Sequence, residues 1–405
     1  MDYSKLAEEI YFAKDAADYL GISTQRLNML VKEEKISPFK KSPSGTLFHI
    51  SELKKRQEEL SIFDEYKRNH DETGRFEIDT SIKQESLNFA TLLNALNVTE
   101  KKLNPLVDAF SERYDITEPI TNLVEEYSHF FNLNAEKLIS EYRQAKDAFS
   151  KLKYNDEILK RGSKDYPILL SEVEQAPRFL YVRGKKALLD EIRTVSLVGS
   201  RNASPRAKES TYKLAKKLGA NGITVISGLA KGIDVSAHLG ALENGFNTIA
   251  VIGTNLNQYY PSENKDVQIE IENKGLVVSQ FSPANQTQRW FFPLRNGVMS
   301  GLSLATIIME AGETSGALKQ ADFALKQNRK ILIAKNVMEN KKIKWPEKYV
   351  EKGAVVVESP RDVLRELATV EVLNIKSKKD SDYQYKIRQV DVDLSTVKDP
   401  EKCID

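Results

Sequence analysis

Six short apolar runs between residues 194 and 333 do most to restrict the folds open to this chain: Thr194–Val198, Ile223–Ser227, Thr248–Ile252, Leu276–Ser279, Ala305–Met309 and Lys330–Ile333. Helical patterns at Pro205–Leu218, Ile233–Asn244, Glu263–Asn273 and Ser315–Gln327 separate most of them. Strands that alternate with helices cannot be joined by tight hairpins. Each crossover brings the next strand in parallel, and helices then cover both faces of the sheet. The expected class is α/β, with a Rossmann-like parallel core. In such a sheet, ligands sit beyond the carboxyl ends of the strands, so the strand-to-helix loops are the candidate site.

Those loops share a character. After the first run stands Gly199-Ser200-Arg201-Asn202-Ala203-Ser204-Pro205. Ser204 suits an N-cap and Pro205 a first helical position, so a helix N-terminus with Arg201 beside it faces the edge and suits an anion. It is not the dinucleotide fingerprint, because no GxGxxG is present, and a plain strand-to-helix corner with a solvated Arg is the more common form of such a loop. The second corner, Ser227-Gly228-Leu229-Ala230-Lys231-Gly232-Ile233-Asp234, puts two glycines around a lysine. Glycines there let the backbone approach a ligand closely. Asp234 is read as a structural group in the first helical turn, where the dipole favours a carboxylate. His238 is read as a core or helix-surface histidine. Tyr259 and Tyr260 follow the third run, and Trp290-Phe291-Phe292-Pro293-Leu294-Arg295-Asn296 precedes the fifth. Aromatic groups beside cations suit a polyanion with π faces, such as single-stranded nucleic acid, or pack under a loop.

Three folded regions and a tail are expected: a winged helix-turn-helix over 1–64, a linker over 65–84, a helical domain over 85–155, the Rossmann-like domain over 156–370, and a charged tail over 371–405. In the first region, Ala16, Ala17 and Leu20 make one helix face and Gly21 ends it. Ser23 can cap a second helix from Thr24 to Lys32, and Gly45 splits a wing between Ile36 and Ile50. Between Thr24 and Arg56, eight Lys or Arg stand against three Glu. If this head reads duplex DNA, Gln25, Arg26 and Asn28 face the major groove and Lys40 and Lys41 the phosphates. A helix-turn-helix used for protein contacts satisfies the same pattern.

Charge limits the argument. The chain has 60 Lys and Arg against 58 Asp and Glu, so any basic surface is local rather than global. The one cysteine, Cys403, excludes a disulfide framework within one chain, and the four histidines are scattered, so no metal site is expected. The start lacks the basic and apolar regions of a signal peptide, and no apolar run is long enough to span a bilayer. A cytoplasmic protein with no membrane partner is expected.

The segments VGSRNASPRA, ISGLAKGIDVSAHLGAL, TIAVIGTNLNQYYP, FFPLRN with MSGLS, and MEAGETSGALKQADFALKQNRKI stand in one order over residues 156–335. Together with the lead-in Tyr166-Pro167 through Leu180-Tyr181-Val182-Arg183-Gly184, this set resembles the DprA/Smf (DNA-processing protein A) family. The first region resembles the MerR/excisionase type of DNA-binding domain. The DprA resemblance implies an extended Rossmann fold that binds single-stranded DNA in a basic pocket, as a homodimer. It also implies hand-over of that strand to the RecA recombinase in natural transformation, with no catalysis and no cofactor. The matching pocket positions are Gly199, Ser200, Arg201, Ser227, Gly228, Lys231, Gly232, Phe292, Pro293, Arg295 and Asn296. The chain departs from the pattern at Gly297, where the family commonly has a second Arg, and at Lys335-Asn336, where it usually has Pro-Gly. It also lacks the C-terminal helical domain of many members.

Two other readings stay open. The duplex-reading head suggests a regulatory or phage-defence relative, either an antitoxin with a cognate toxin or effector, or a sensor of a nucleotide signal. Analogy with nucleotide phosphoribohydrolases suggests an enzyme. Their PGGxGTxxE signature is absent, however, and Glu310 at a strand end is better suited to capping than to acting as a base.

Overall fold

The computed structural model describes residues 10–20, 24–32, 36–42, 45–55 and 80–368, in two compact units divided after Glu77. In the first unit, β1 (Ile10–Phe12) leads into α1 (Ala13–Tyr19) and α2 (Thr24–Lys32). The strands β2 (Lys40–Ser42) and β3 (Gly45–His49) follow, and a helical stretch covers residues 50–55. β3 is the middle strand of an antiparallel sheet ordered β1-β3-β2. Ala16, Ala17, Leu27, Ile36, Phe48 and Leu53 form its core. Gly21 and Ser23, expected as turn and cap, lie outside the described residues, as do the side chains of Gln25, Arg26 and Lys41. Asn28 and Lys40 are exposed.

The second unit begins with α3 (Thr80–Leu96), which starts inside the stretch expected as linker, followed by α4 (Glu100–Ser111), α5 (Val124–Phe131) and α6 (Ala135–Phe149). Residues 85–92 of α3 are buried without a break, so this is an interior helix rather than an amphipathic one. Its buried polar groups are paired: Ser86 with the Tyr181 hydroxyl at 2.7 Å, and Asn88 donating to the carbonyls of Ile116 and Glu118. Phe89, Leu92 and Phe110 share one core with Tyr181, Ala250 and Val277 of the sheet, so these helices cover one sheet face.

The six expected strands all form: β6 (Thr194–Gly199), β7 (Thr224–Ser227), β8 (Thr248–Val251), β9 (Leu276–Ser279), β10 (Ala305–Glu310) and β11 (Lys330–Ala334). Three more extend the sheet: β4 (Asp156–Lys160) and β5 (Phe179–Gly184) at one edge, β12 (Val355–Val357) at the other. The order is β12-β11-β10-β6-β7-β8-β9-β5-β4, parallel from β12 to β9 and antiparallel at β5 and β4. Between the strands run α7 (Pro205–Ala220), α8 (Ile233–Leu242), α9 (Lys265–Lys274), α10 (Phe291–Gly301) and α11 (Gly316–Lys326). Two further helices, α12 (Trp345–Val350) and α13 (Pro360–Ala368), flank β12.

After β6 the chain turns towards β7, whereas after β10 it turns the other way towards β11. β6 and β10 are neighbours, so a crevice opens beyond their carboxyl ends, at the position where open α/β sheets hold ligands. α10 forms where the sequence reading had an aromatic loop. Pro293 sits in its first turn, where the missing N–H removes no helical bond, so proline does not oppose the helix.

The antiparallel edge is tied by charge. Arg183 of β5 donates to both carboxylate oxygens of Asp156 in β4, at 2.5 and 2.7 Å. It also donates to the Leu256 carbonyl at 2.9 Å and to Glu272 of α9 at 3.3 Å. Lys153 completes the group with a 2.9 Å bond to Glu272. Arg183, Asp156 and Glu272 are all buried.

Candidate nucleic-acid interface

The loops after β6, β7 and β8 meet the start of α10, and glycines set how closely they meet. A Cβ on Gly232 would lie 2.3 Å from the Ser200 carbonyl and 2.7 Å from that of Arg201, so the β7–α8 corner rests directly on the β6–α7 loop. A Cβ on Gly253 would strike the Phe292 ring at 2.5 Å. Phe292 is thus the meeting point. The Arg201 guanidinium carbon lies 6.0 Å from its ring centroid, and the Tyr260 ring lies 5.1 Å away at 48°. Arg201 and Tyr260 are exposed and Phe292 is half-buried. One unpaired guanidinium and two aromatic rings therefore face solvent within one small area.

Lys231 is exposed beside them and bonded to Glu263 at 2.5 Å. Both partners are more than half exposed, so the pair is worth little in water, and a polyanion can compete for the lysine. Ser200 is half-buried, and its hydroxyl accepts from the Asn202 N–H at 3.1 Å, which shapes the loop. Asn296 reaches away from the cluster and donates to the Gly316 carbonyl at 3.3 Å.

Two expected ligand-facing side chains point inward instead. Ser227 is buried and donates to the Leu197 carbonyl at 2.6 Å, tying β7 to β6. Arg295 is only 5% exposed. Its guanidinium fills the space over Gly228, where a Cβ would lie 1.9 Å from Nη1, and it donates to the Val251 carbonyl at 2.5 Å. A long side chain on the inner face of α10 has no path to solvent here, so Arg295 supports the loops from below. Burial draws its pKa down to about 10 even though Asp234 lies nearby. Burial likewise raises Asp234, with Arg295 acting against that rise. Asp234 accepts from the Ala230 N–H at 3.3 Å, which is the structural role expected of it.

His238 is fully buried, with Nδ1 2.8 Å from the Thr248 hydroxyl. Burial first, and then the positive charge of Arg295, hold its imidazole neutral, with a pKa of about 3. The unfolded chain takes up a proton below the ordinary value of about 6.5, while the folded chain does not. His238 therefore contributes stability that is complete above that value and is lost as pH falls towards 3. Glu100, pushed up to about 7 by burial, acts in the opposite sense over part of this range. Comparison with His238→Gln isolates the histidine. Denaturant titrations at pH 7 and pH 5 should show the wild type losing about 2 kcal/mol relative to the variant. Parallel pH profiles for the two chains would refute this assignment.

Glu310, at the end of β10, projects into the crevice. Its carboxylate accepts from the Ser204 N–H at 2.9 Å and from the Ser204 hydroxyl at 2.7 Å, and Ser204 in turn caps α7 by accepting from the Ala207 N–H. The helix end expected to be open to an external anion is therefore engaged by the chain's own carboxylate, in the capping role foreseen for Glu310. Glu263 and Glu310 act on residues 32 and 106 positions away, a pairing that no local sequence signal announces.

Among the described residues, no group of three or more His, Cys, Asp and Glu is placed to hold a metal, and no helix is long and apolar enough to cross a membrane.

Comparison with known proteins matches residues 157–368 to the family model described as DNA recombination-mediator protein A. The DNA processing protein DprA of Streptococcus pneumoniae is 38% identical over 201 residues, which covers 50% of this chain and 71% of that protein. Protein Smf of a Synechocystis strain is 32% identical over 246 residues, 60% of each chain. The X-ray structure of the Streptococcus pneumoniae DprA superposes with a TM-score of 0.56 at 31% identity, covering 69% of this chain and 97% of that one. With the family model spanning just over half its length, this chain belongs to the DNA recombination-mediator protein A family.

Proposed function

We propose that the protein binds single-stranded DNA at the carboxyl edge of its sheet and acts in DNA processing and recombination, by binding rather than by catalysis. The observation that carries this reading is the grouping of Arg201 and Tyr260, on exposed loops, with Phe292 at the start of α10. A cation flanked by two rings matches a phosphate flanked by unstacked bases, and stacking needs no particular base. Lys231 adds a second cation once Glu263 releases it. The homodimer and the hand-over to RecA recombinase belong to this proposal through the family alone.

The test is equilibrium binding of labelled oligo-dT to the full chain, with and without Arg201→Ala plus Lys231→Ala. Each lost phosphate contact costs roughly 1 kcal/mol and lowers the salt slope by about 0.7. The double variant is therefore expected to bind more than about tenfold more weakly, with a flatter salt dependence. Unchanged affinity at low salt would reject the site.

The N-terminal unit favours a second role alongside the first. Its two helices and three-stranded sheet, with Asn28 and Lys40 exposed, suit a head that reads duplex DNA. Duplex binding that survives in the double variant is the mark of such a head.

A further inference from the structure

A large concavity stands apart from the loop edge. A groove of about 2110 Å³ lies on the other side of α10, walled by α6, α11 and residues 170–177. Of the expected pocket positions, Pro293 alone lines it. α10 is thus a partition: Phe292 faces the loops, whereas Trp290 and Leu294 line the groove.

Trp290 is 53% exposed, so a face of its indole is open to a ligand. It is nonetheless held in place, edge-on against Phe291 at 4.5 Å and 87°, and Phe291 stacks flat on Phe281 at 3.8 Å and 1°. The groove chemistry is distinctive. Eleven of its lining residues are Asn or Gln, and its six Lys and Arg nearly balance five Asp and Glu. A near-neutral interior does not attract phosphates, but amides pair with the edges of bases, and an exposed indole stacks on their faces. Lys319 and Lys326 are exposed on α11 at the wall, with no ion-pair partner among the described residues, and suit phosphates running outside. Gln327 Oε1 and Asn104 Oδ1 line the groove as buried acceptors with no hydrogen-bond partner.

We infer that a single strand bound at Arg201 and Phe292 continues over the first turn of α10 and lays further bases in this groove against Trp290. The two sides are one helix apart, about 10 Å, or roughly three stacked nucleotides. This inference rests on the proposed function and lengthens its site.

The chain carries its own probe. It has two tryptophans, Trp290 and Trp345. Trp345 is 3% exposed, and its indole N–H donates to the Ala311 carbonyl at 3.0 Å, so a ligand-induced change in tryptophan emission reports on Trp290. The experiment titrates full-length protein with oligo-dT of about four and about twelve nucleotides, the range over which single-strand sites extend. The long oligonucleotide should quench the emission and the short one should not. Trp290→Ala should weaken the long oligonucleotide about tenfold, the loss of one stacked base, and leave the short one unchanged. Trp290→Phe should restore most of the difference.

Arg201-dependent binding of the long strand without quenching, or an equal loss at both lengths, would overturn the groove path and leave the loop-edge site standing. No binding at any length would remove both. Quenching by mixed-sequence peptides but by no oligonucleotide would assign the groove to a protein partner and overturn the inference.

Discussion

Replacing Arg183 with alanine is expected to lower folding stability by about 3–5 kcal/mol, the usual result of removing one partner from a buried ion pair. The size follows from what remains. Asp156 keeps its charge in a buried position but loses both guanidinium bonds, and Glu272 keeps only Lys153 and weaker partners. Urea titration of the variant against wild type gives the number directly. A double variant, Arg183→Met with Asp156→Leu, separates charge from packing. If the penalty comes from the stranded carboxylate, the double variant should recover much of the loss, because buried pairs exchange for apolar groups at little cost. A single variant within about 1 kcal/mol of wild type would show that the edge strands are held by packing alone.

Gly232→Ala is expected to cost about 3 kcal/mol and, under the proposed function, to weaken oligo-dT binding at the same time. Gly232 has φ 78° and ψ −120°, a conformation that costs an L-residue roughly 1–3 kcal/mol. The added Cβ would also overlap the backbone of Ser200 and Arg201, which has no flexible end to move aside. The loop carrying Arg201 must therefore shift, and the Arg201–Phe292 contact shifts with it. Gly245→Ala provides the comparison: its φ is also positive, at 74°, but a Cβ there meets nothing within 4 Å. Calorimetry on both variants, with oligo-dT titrations, should show a larger loss at Gly232 and a binding defect there only. Equal losses, or normal binding by Gly232→Ala, would show that the corner does not set the Arg201 loop.

The parallel core was legible because each of its strands is a short run buried on both faces and followed by a helical pattern. β5 carries a similar run, but no long helix follows it, so alternation alone gives Phe179–Gly184 no place. Three-residue β12 is too short to show periodicity. α10 was hidden by Pro293 and by glycines at 297 and 301, which read as loop punctuation although the proline stands where helices accept it. Residue types at the site were readable, but the directions of their side chains were not. Arg201 and Arg295 look alike in sequence, yet one is on an open loop and the other on the inner face of a helix, where burial turns it into support. Pairings such as Lys231 with Glu263 depend on crossovers between distant strands and leave no local trace.

The carboxylate of Glu310 in the crevice bears on what else the protein meets. A helix end of this kind is ordinarily attractive to any small phosphate ester. Here a phosphate directed at that helix end meets a negative group already holding both Ser204 donors, and must displace it before gaining those two bonds. Under the proposed function, small phosphate esters are expected to find that helix end taken, whereas a strand held at Arg201 and Phe292 has no need of it.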